Sequence, residues 1–177
     1  MKRALLPAFV VLSLLLASSG AAEDRPRRFS FLLGGGGSLY SDNSSGFSRS
    51  FQLGFSFEKE KDTLVAFRYG QLAFDDGVDG DGFSTADLTY LTAAGEYWFN
   101  EGYYESGIFF GIGAYDLETH SAQGSSDDTA IGASLGVMGE FTVSKRMAML
   151  LELSLHWADL DAVNLFGLGH AGLVVRW

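Results

Sequence analysis

Residues 147–157 read MAMLLELSLHW. Met147, Met149, Leu151, Leu153, Leu155 and Trp157 share one parity, while Ala148, Leu150, Glu152, Ser154 and His156 share the other. Wound as a helix, the segment would scatter Glu152 and His156 and leave no clean apolar stripe. Extended, it has one wholly apolar face and one mixed face, because successive side chains of a strand point to opposite sides. The same period of two recurs upstream. In SFQLGFSFE, Phe51, Leu53, Phe55 and Phe57 oppose Gln52, Gly54, Ser56 and Glu58. In IGASLGVMGEF, Ile131, Ala133, Leu135, Val137 and Phe141 oppose Ser134 and Glu140.

Carried along the chain, this period predicts eight strands, at 29–40, 48–58, 63–74, 84–99, 104–115, 129–142, 147–157 and 164–177. Each is near or above the roughly 9–11 residues that a tilted strand needs to cross a bilayer. No helical pattern intervenes, so the strands form an antiparallel meander. The connections alternate in character. EKEKD, NEGY and VSKR are tight, whereas SDNSSGF, DDGVDGDGFS and DLETHSAQGSSDD are long and polar, with ADLDAV shorter. Transmembrane barrels use an even strand number, short periplasmic turns and longer external loops. The expected fold is therefore all-β, an eight-stranded antiparallel up-and-down transmembrane barrel over 29–177. Segments 41–47, 75–83, 116–128 and 158–163 should face the exterior, and both ends of the chain the periplasm.

A soluble barrel would bury the apolar face and show the mixed one. A membrane barrel is inverted, since only a closed barrel satisfies its backbone in lipid. Here the apolar face is the larger and cleaner. The mixed face carries Arg68, Glu96, Glu105, Glu140, Glu152 and Arg176 within strands, among small residues such as Gly54, Gly111 and Gly136. That mixture suits a narrow lumen in which the two arginines bridge several of these glutamates and Glu58, with the excess acid hydrated or protonated. Phe57, Tyr97, Phe99, Tyr104, Phe141 and Trp177 have outward parity at the short-turn ends and compose one aromatic girdle. Tyr40, Phe83, Tyr115 and Trp157 compose a weaker second one near the long loops.

The first residues are excluded from the fold. MKR, then ALLPAFVVLSLLLA, then SSGAA form the n-, h- and cleavage regions of an export signal, with cleavage expected after Ala22. Residues 23–28 would be a short periplasmic segment. No cysteine exists for lipidation or disulfides. Removing 1–22 takes the formal charge from −10 to −12, an acidic balance that does not fit a nucleic-acid partner.

Signal, alternating strands and the terminal AGLVVRW together resemble the small outer-membrane β-barrels of the OmpA-transmembrane and OmpX/Ail type. The resemblance covers nearly all of 29–177 and is architectural. Its local motif is the last strand, with Leu173 and Val175 apolar at alternate positions and an aromatic at the end. In that family this strand is the signal read by the barrel assembly machinery. Trp177 stands where Phe is usual. The resemblance implies an integral outer-membrane location, monomeric state, and contact with outer-membrane lipid and lipopolysaccharide.

Three stretches invite a chemical reading. LLGGGGSLY lacks the Gly-Lys-Ser/Thr of a phosphate loop and any following helix, so its glycines are expected to let a strand bend. Asp75, Asp76, Asp79 and Asp81 could offer oxygen ligands to calcium, but their spacing is not that of an EF-hand and a solvated acidic loop is expected. Glu152, Ser154 and His156 share a face near the outer rim. Two small barrels, the lipid A deacylase and the lipid A palmitoyltransferase, use His and Ser near that rim. The deacylase motif is His-x-Ser-Asn, and this chain has His156-Trp157-Ala158-Asp159, with alanine at the nucleophile position. Ser154 lies before the histidine, and strand neighbours two apart are separated by roughly 7 Å at Cα, too far for a short hydrogen bond. The palmitoyltransferase's amphipathic amino-terminal helix has no counterpart in EDRPRRFSF. The sequence thus points to a non-enzymatic envelope or surface-interaction protein without cofactor or metal. A narrow solute channel and a lipid-A-modifying enzyme are the alternatives.

Overall fold

The computed structural model describes residues 27–39, 48–60, 62–75, 85–99, 103–121, 124–160 and 163–177. The expected signal segment, Tyr40, Phe83, and the acidic residues Asp76, Asp79 and Asp81 lie outside these.

Eight strands follow one another: β1 (Arg27–Ser38), β2 (Ser48–Glu60), β3 (Thr63–Asp75), β4 (Thr85–Phe99), β5 (Tyr104–Ser121), β6 (Gly124–Ser144), β7 (Met147–Ala158) and β8 (Leu165–Arg176). Each pairs antiparallel with its neighbour, and β8 returns to β1 to close the barrel. Closure leaves no free sheet edge along the wall, the condition for a β-structure in lipid. At the closing seam Gly34 pairs with His170 and Gly36 with Leu168, and a Cβ on either glycine would strike the carbonyl of Gly169 or Gly167. The glycine run in LLGGGGSLY is thus the tight seam between first and last strands.

The alternation seen in the sequence is the alternation of the wall. Along β7, Met147, Met149, Leu151, Leu153, Leu155 and Trp157 are exposed and the residues between them buried. Phe29, Phe31 and Leu33 on β1, Ile108, Phe110 and Ile112 on β5, and Leu173 and Val175 on β8 continue the apolar exterior.

Some boundaries differ from expectation. β1 begins at Arg27, so Arg27 and Arg28 belong to the wall. β5 and β6 run to Ser121 and from Gly124, so most of 116–128 is a long hairpin in register from Asp116↔Thr129 to Ser121↔Gly124. β6 finds β7 only from Gly132↔Ala158, so this hairpin rises past β7. The β7–β8 connection does not simply stand outward. Leu160 and Val163 are buried at the barrel mouth, in one apolar cluster with Leu88, Leu117 and Phe166. An apolar pair at positions 160 and 163 gains more from that burial than from exposure.

Candidate functional site

The lumen is filled in layers, as expected for eight strands, whose interior is just wide enough for side chains. Below the mouth, Leu72, Phe74, Leu88, Tyr90, Tyr115, Leu117, Phe166 and Leu168 make an apolar plug with Leu160 and Val163. Nearer the short turns, Leu32, Leu64, Trp98, Phe109, Met138, Leu150 and Val174 make a second. Tyr90 has room because the inward residue opposite it is Gly70, where a Cβ would enter the ring. Between the plugs, and again below the second, the lumen is polar.

The middle layer centres on Arg68, 4% exposed. Its Nη2 donates to Glu96 Oε1 at 2.7 Å and lies 3.5 Å from Glu152 Oε2. The guanidinium stacks on Phe109, with Cζ 3.7 Å from the ring centroid. Glu96 also accepts from Trp98 Nε1 at 3.2 Å. Gln52 Nε2 donates to Glu152 Oε1 at 3.2 Å, and Gln52 Oε1 accepts from the Tyr90 hydroxyl at 2.9 Å. Ser50 Oγ and His170 Nε2 are 2.8 Å apart. Charges removed from water are stabilised by pairing, and Arg68 is paired with both carboxylates, while its Nη1 and His170 Nδ1 are buried without a hydrogen bond.

The lower layer is held by Arg176, Glu105, Glu140 and Arg28. Arg176 contacts Glu140 directly and lies 3.9 Å from Glu105. Arg28 lies 3.6 Å from Glu140 and over Trp98, 5.3 Å from its centroid. The lining of the space between these layers includes Arg28, Arg68, Glu96, Glu140 and Glu152. Glu58 is half-buried at the short-turn end. Sequence reasoning missed Arg28, Tyr90 and Trp98, and put Gln52 on the mixed face without a role. Their inward parity was the available signal, but Arg28 fell outside the expected strand, and Trp98 and Tyr90 were not read as lumen residues.

Ser154 and His156 require a correction. Ser154 Oγ and His156 Nε2 are 3.0 Å apart, and His156 Nδ1 is 3.0 Å from Tyr115 OH. Cα spacing along a strand does not limit an imidazole that leans along it. A nucleophile–base contact therefore exists, but on the lumen side: Ser154 is 5% exposed and His156 2%. His156 is stacked under Phe166 at 4.9 Å. Tyr115 is also corrected. It is wholly buried in the upper plug and belongs to no outer girdle, whereas Trp157 does face outward.

At the short-turn end, Tyr97, Phe99, Tyr104, Phe141 and Trp177 are exposed and Phe57 is half-buried. Tyr104 packs on Phe141 at 4.8 Å and Trp177 on Phe55 at 6.4 Å between centroids. Of the four loop aspartates, Asp75 ends β3 and the other three lie outside the described residues. Among the described residues no group of three His, Cys, Asp or Glu is placed to hold a metal ion.

By sequence, no protein-family model and no curated protein matches the chain. Solved structures do match by fold. Neisserial surface protein A superposes with a TM-score of 0.68 at 13% identity, over 89% of this chain and 99% of that one. The amino-terminal β-barrel domain of Pseudomonas aeruginosa OprF gives 0.61 at 11% identity, over 89% and 100%. Ail, the attachment invasion locus protein of Yersinia pestis, gives 0.56 at 17%, over 86% and 97%. At these identities the likeness is one of fold. Closed eight-stranded wall, apolar exterior and filled, partly ion-paired lumen together give the chain the architecture of the small outer-membrane β-barrels, with β1 starting and β8 ending at the short-turn end.

Proposed function

We propose that this protein is a non-enzymatic integral outer-membrane barrel, monomeric, whose role is exerted at the cell surface by its acidic loop end. The assembly machinery would recognise Leu173, Val175 and Trp177 on the closing strand, and the turn-end aromatics would seat the barrel at the inner interface. The observation that carries the reading is the β5–β6 hairpin, which rises beyond β7 on a plugged barrel. Its outward face sets Glu118 directly opposite both Asp87 and Asp127. Like charges directly opposite destabilise a sheet, so the row adds nothing to the stability of the hairpin and is free to act on a partner. The name of one neighbour in fold, an attachment protein, is consistent with such a role but carries no residue of it to this chain.

Cells carrying the intact barrel can be compared with cells in which residues 117–128 are replaced by a tight turn. Adhesion to cell layers and matrix should fall on trimming while solute uptake stays the same. Uptake that follows the protein, with adhesion unaffected, would favour the channel alternative. The Ser154–His156 contact keeps one enzymatic test worth making. A mass change in lipid A that disappears in His156→Ala would replace the non-enzymatic reading.

A further inference from the structure

Charge on the outer wall sorts by end. Among the described residues, the loop end carries Asp87, Asp116, Glu118, Asp127 and Asp159, with Arg49 its one Lys or Arg. The turn end gathers the opposite sign beside the closing strand. Lys145 and Arg146 form the exposed β6–β7 turn. Ser144 Oγ pins that turn, accepting from the backbone N–H of Arg146 at 3.3 Å and of Met147 at 3.1 Å. The N–H of Arg176 donates to the Arg146 carbonyl at 2.9 Å, and Arg27 and Trp177 exchange two backbone hydrogen bonds at 3.1 Å. These bonds place Arg146, with Lys145 before it, on one side of the end of the closing strand and Arg27 on the other. Outward-facing Met147, Val175 and Trp177 adjoin them at the lower edge of the apolar belt. Among the described residues, Glu140 faces the lumen with Arg28 and Arg176, Glu105 lies 3.9 Å from Arg176, and Asp62 lies at the β2–β3 turn.

We propose that this turn-end cluster is a docking surface for the headgroups of anionic phospholipids in the adjoining leaflet. It rests on the membrane-barrel reading above. The occupant follows from charge and position. A basic group at the membrane surface attracts anionic headgroups, and tryptophan settles at headgroup level. Here both occur together, continuous with the lipid-facing wall, so one lipid can set its phosphate against Lys145 and Arg146 and its chains against Val175 and Met147. The acidic loop end repels the same headgroup, so the two ends of one barrel discriminate between leaflets.

The full chain, refolded into vesicles of phosphatidylcholine mixed with phosphatidylglycerol, provides the test through spin-labelled versions of both lipids. At low ionic strength the labelled phosphatidylglycerol should associate about threefold to tenfold better than the labelled phosphatidylcholine. Lys145→Gln combined with Arg146→Gln should bring the ratio near one, as should about 1 M salt. Arg49→Gln, at the opposite end, should leave the ratio unchanged. Equal association with the unaltered protein, or a preference that survives the double substitution, overturns the docking surface alone. A chain that inserts into neither vesicle contradicts the membrane-barrel reading, and the docking surface falls with it.

Discussion

Arg68 is the side chain on which the lumen depends. Two buried carboxylates, on Glu96 and Glu152, face its guanidinium. Removing the arginine leaves both without their cation, which typically costs about 3–5 kcal/mol. Arg68→Ala should therefore unfold at markedly lower urea in reversible vesicle experiments, whereas Glu152→Gln, which removes a charge and keeps the amide partner's shape, should be milder. The next residue reports on the other face. Leu153 is 64% exposed on the wall, and Leu153→Arg should cost about 2–4 kcal/mol if that wall faces lipid near the bilayer midplane. A ranking in which Glu152→Gln is worse than Leu153→Arg would reverse inside and outside. Charged lumen residues were legible because charge on a strand's mixed face is conspicuous. Tyr115 was not, because aromatic residues serve both a girdle and a lumen plug, and parity in a short polar-flanked segment was set aside for proximity to a loop. Ser154 and His156 were misjudged because backbone spacing stood in for side-chain reach.

Strands were legible wherever one face is continuously apolar, as on β2, β6 and β7. The upper halves of β5 and β6 were not, since Asp116, Glu118, Ser125 and Asp127 give no apolar face and the hairpin is held by its ladder. Thr129 Oγ1 donating to Asp116 Oδ1 at 2.7 Å adds a cross-strand bond that no periodicity announces. The hairpin also sharpens the topology. Single cysteines at Ser126, on its arm, and at Lys145, on the tight turn, stand at opposite ends of the barrel. On intact cells, a membrane-impermeant maleimide should label the cysteine at Ser126 and spare the one at Lys145. Labelling at Lys145 with none at Ser126 would invert the orientation.

The molecule as a whole is a lipid-facing apolar wall around a filled, ion-paired interior, with acid at one end and base at the other. Period-two patterning, turn lengths and face composition foretold the wall. The plugs were not foretold, because a small barrel needs apolar residues inside as well as out, and only three-dimensional pairing tells which layer each occupies. Strand β7 probes the inside-out arrangement without relying on function. Spin labels placed one at a time from Met149 to Leu155, in protein reconstituted into phospholipid vesicles, report relaxation by oxygen, enriched in lipid, and by a water-soluble nickel chelate. Oxygen should dominate at Met149, Leu151, Leu153 and Leu155, with a period of two and low accessibility to either agent at Leu150, Glu152 and Ser154. Nickel dominating at the odd positions, or no period at all, would mean that this wall does not face a bilayer.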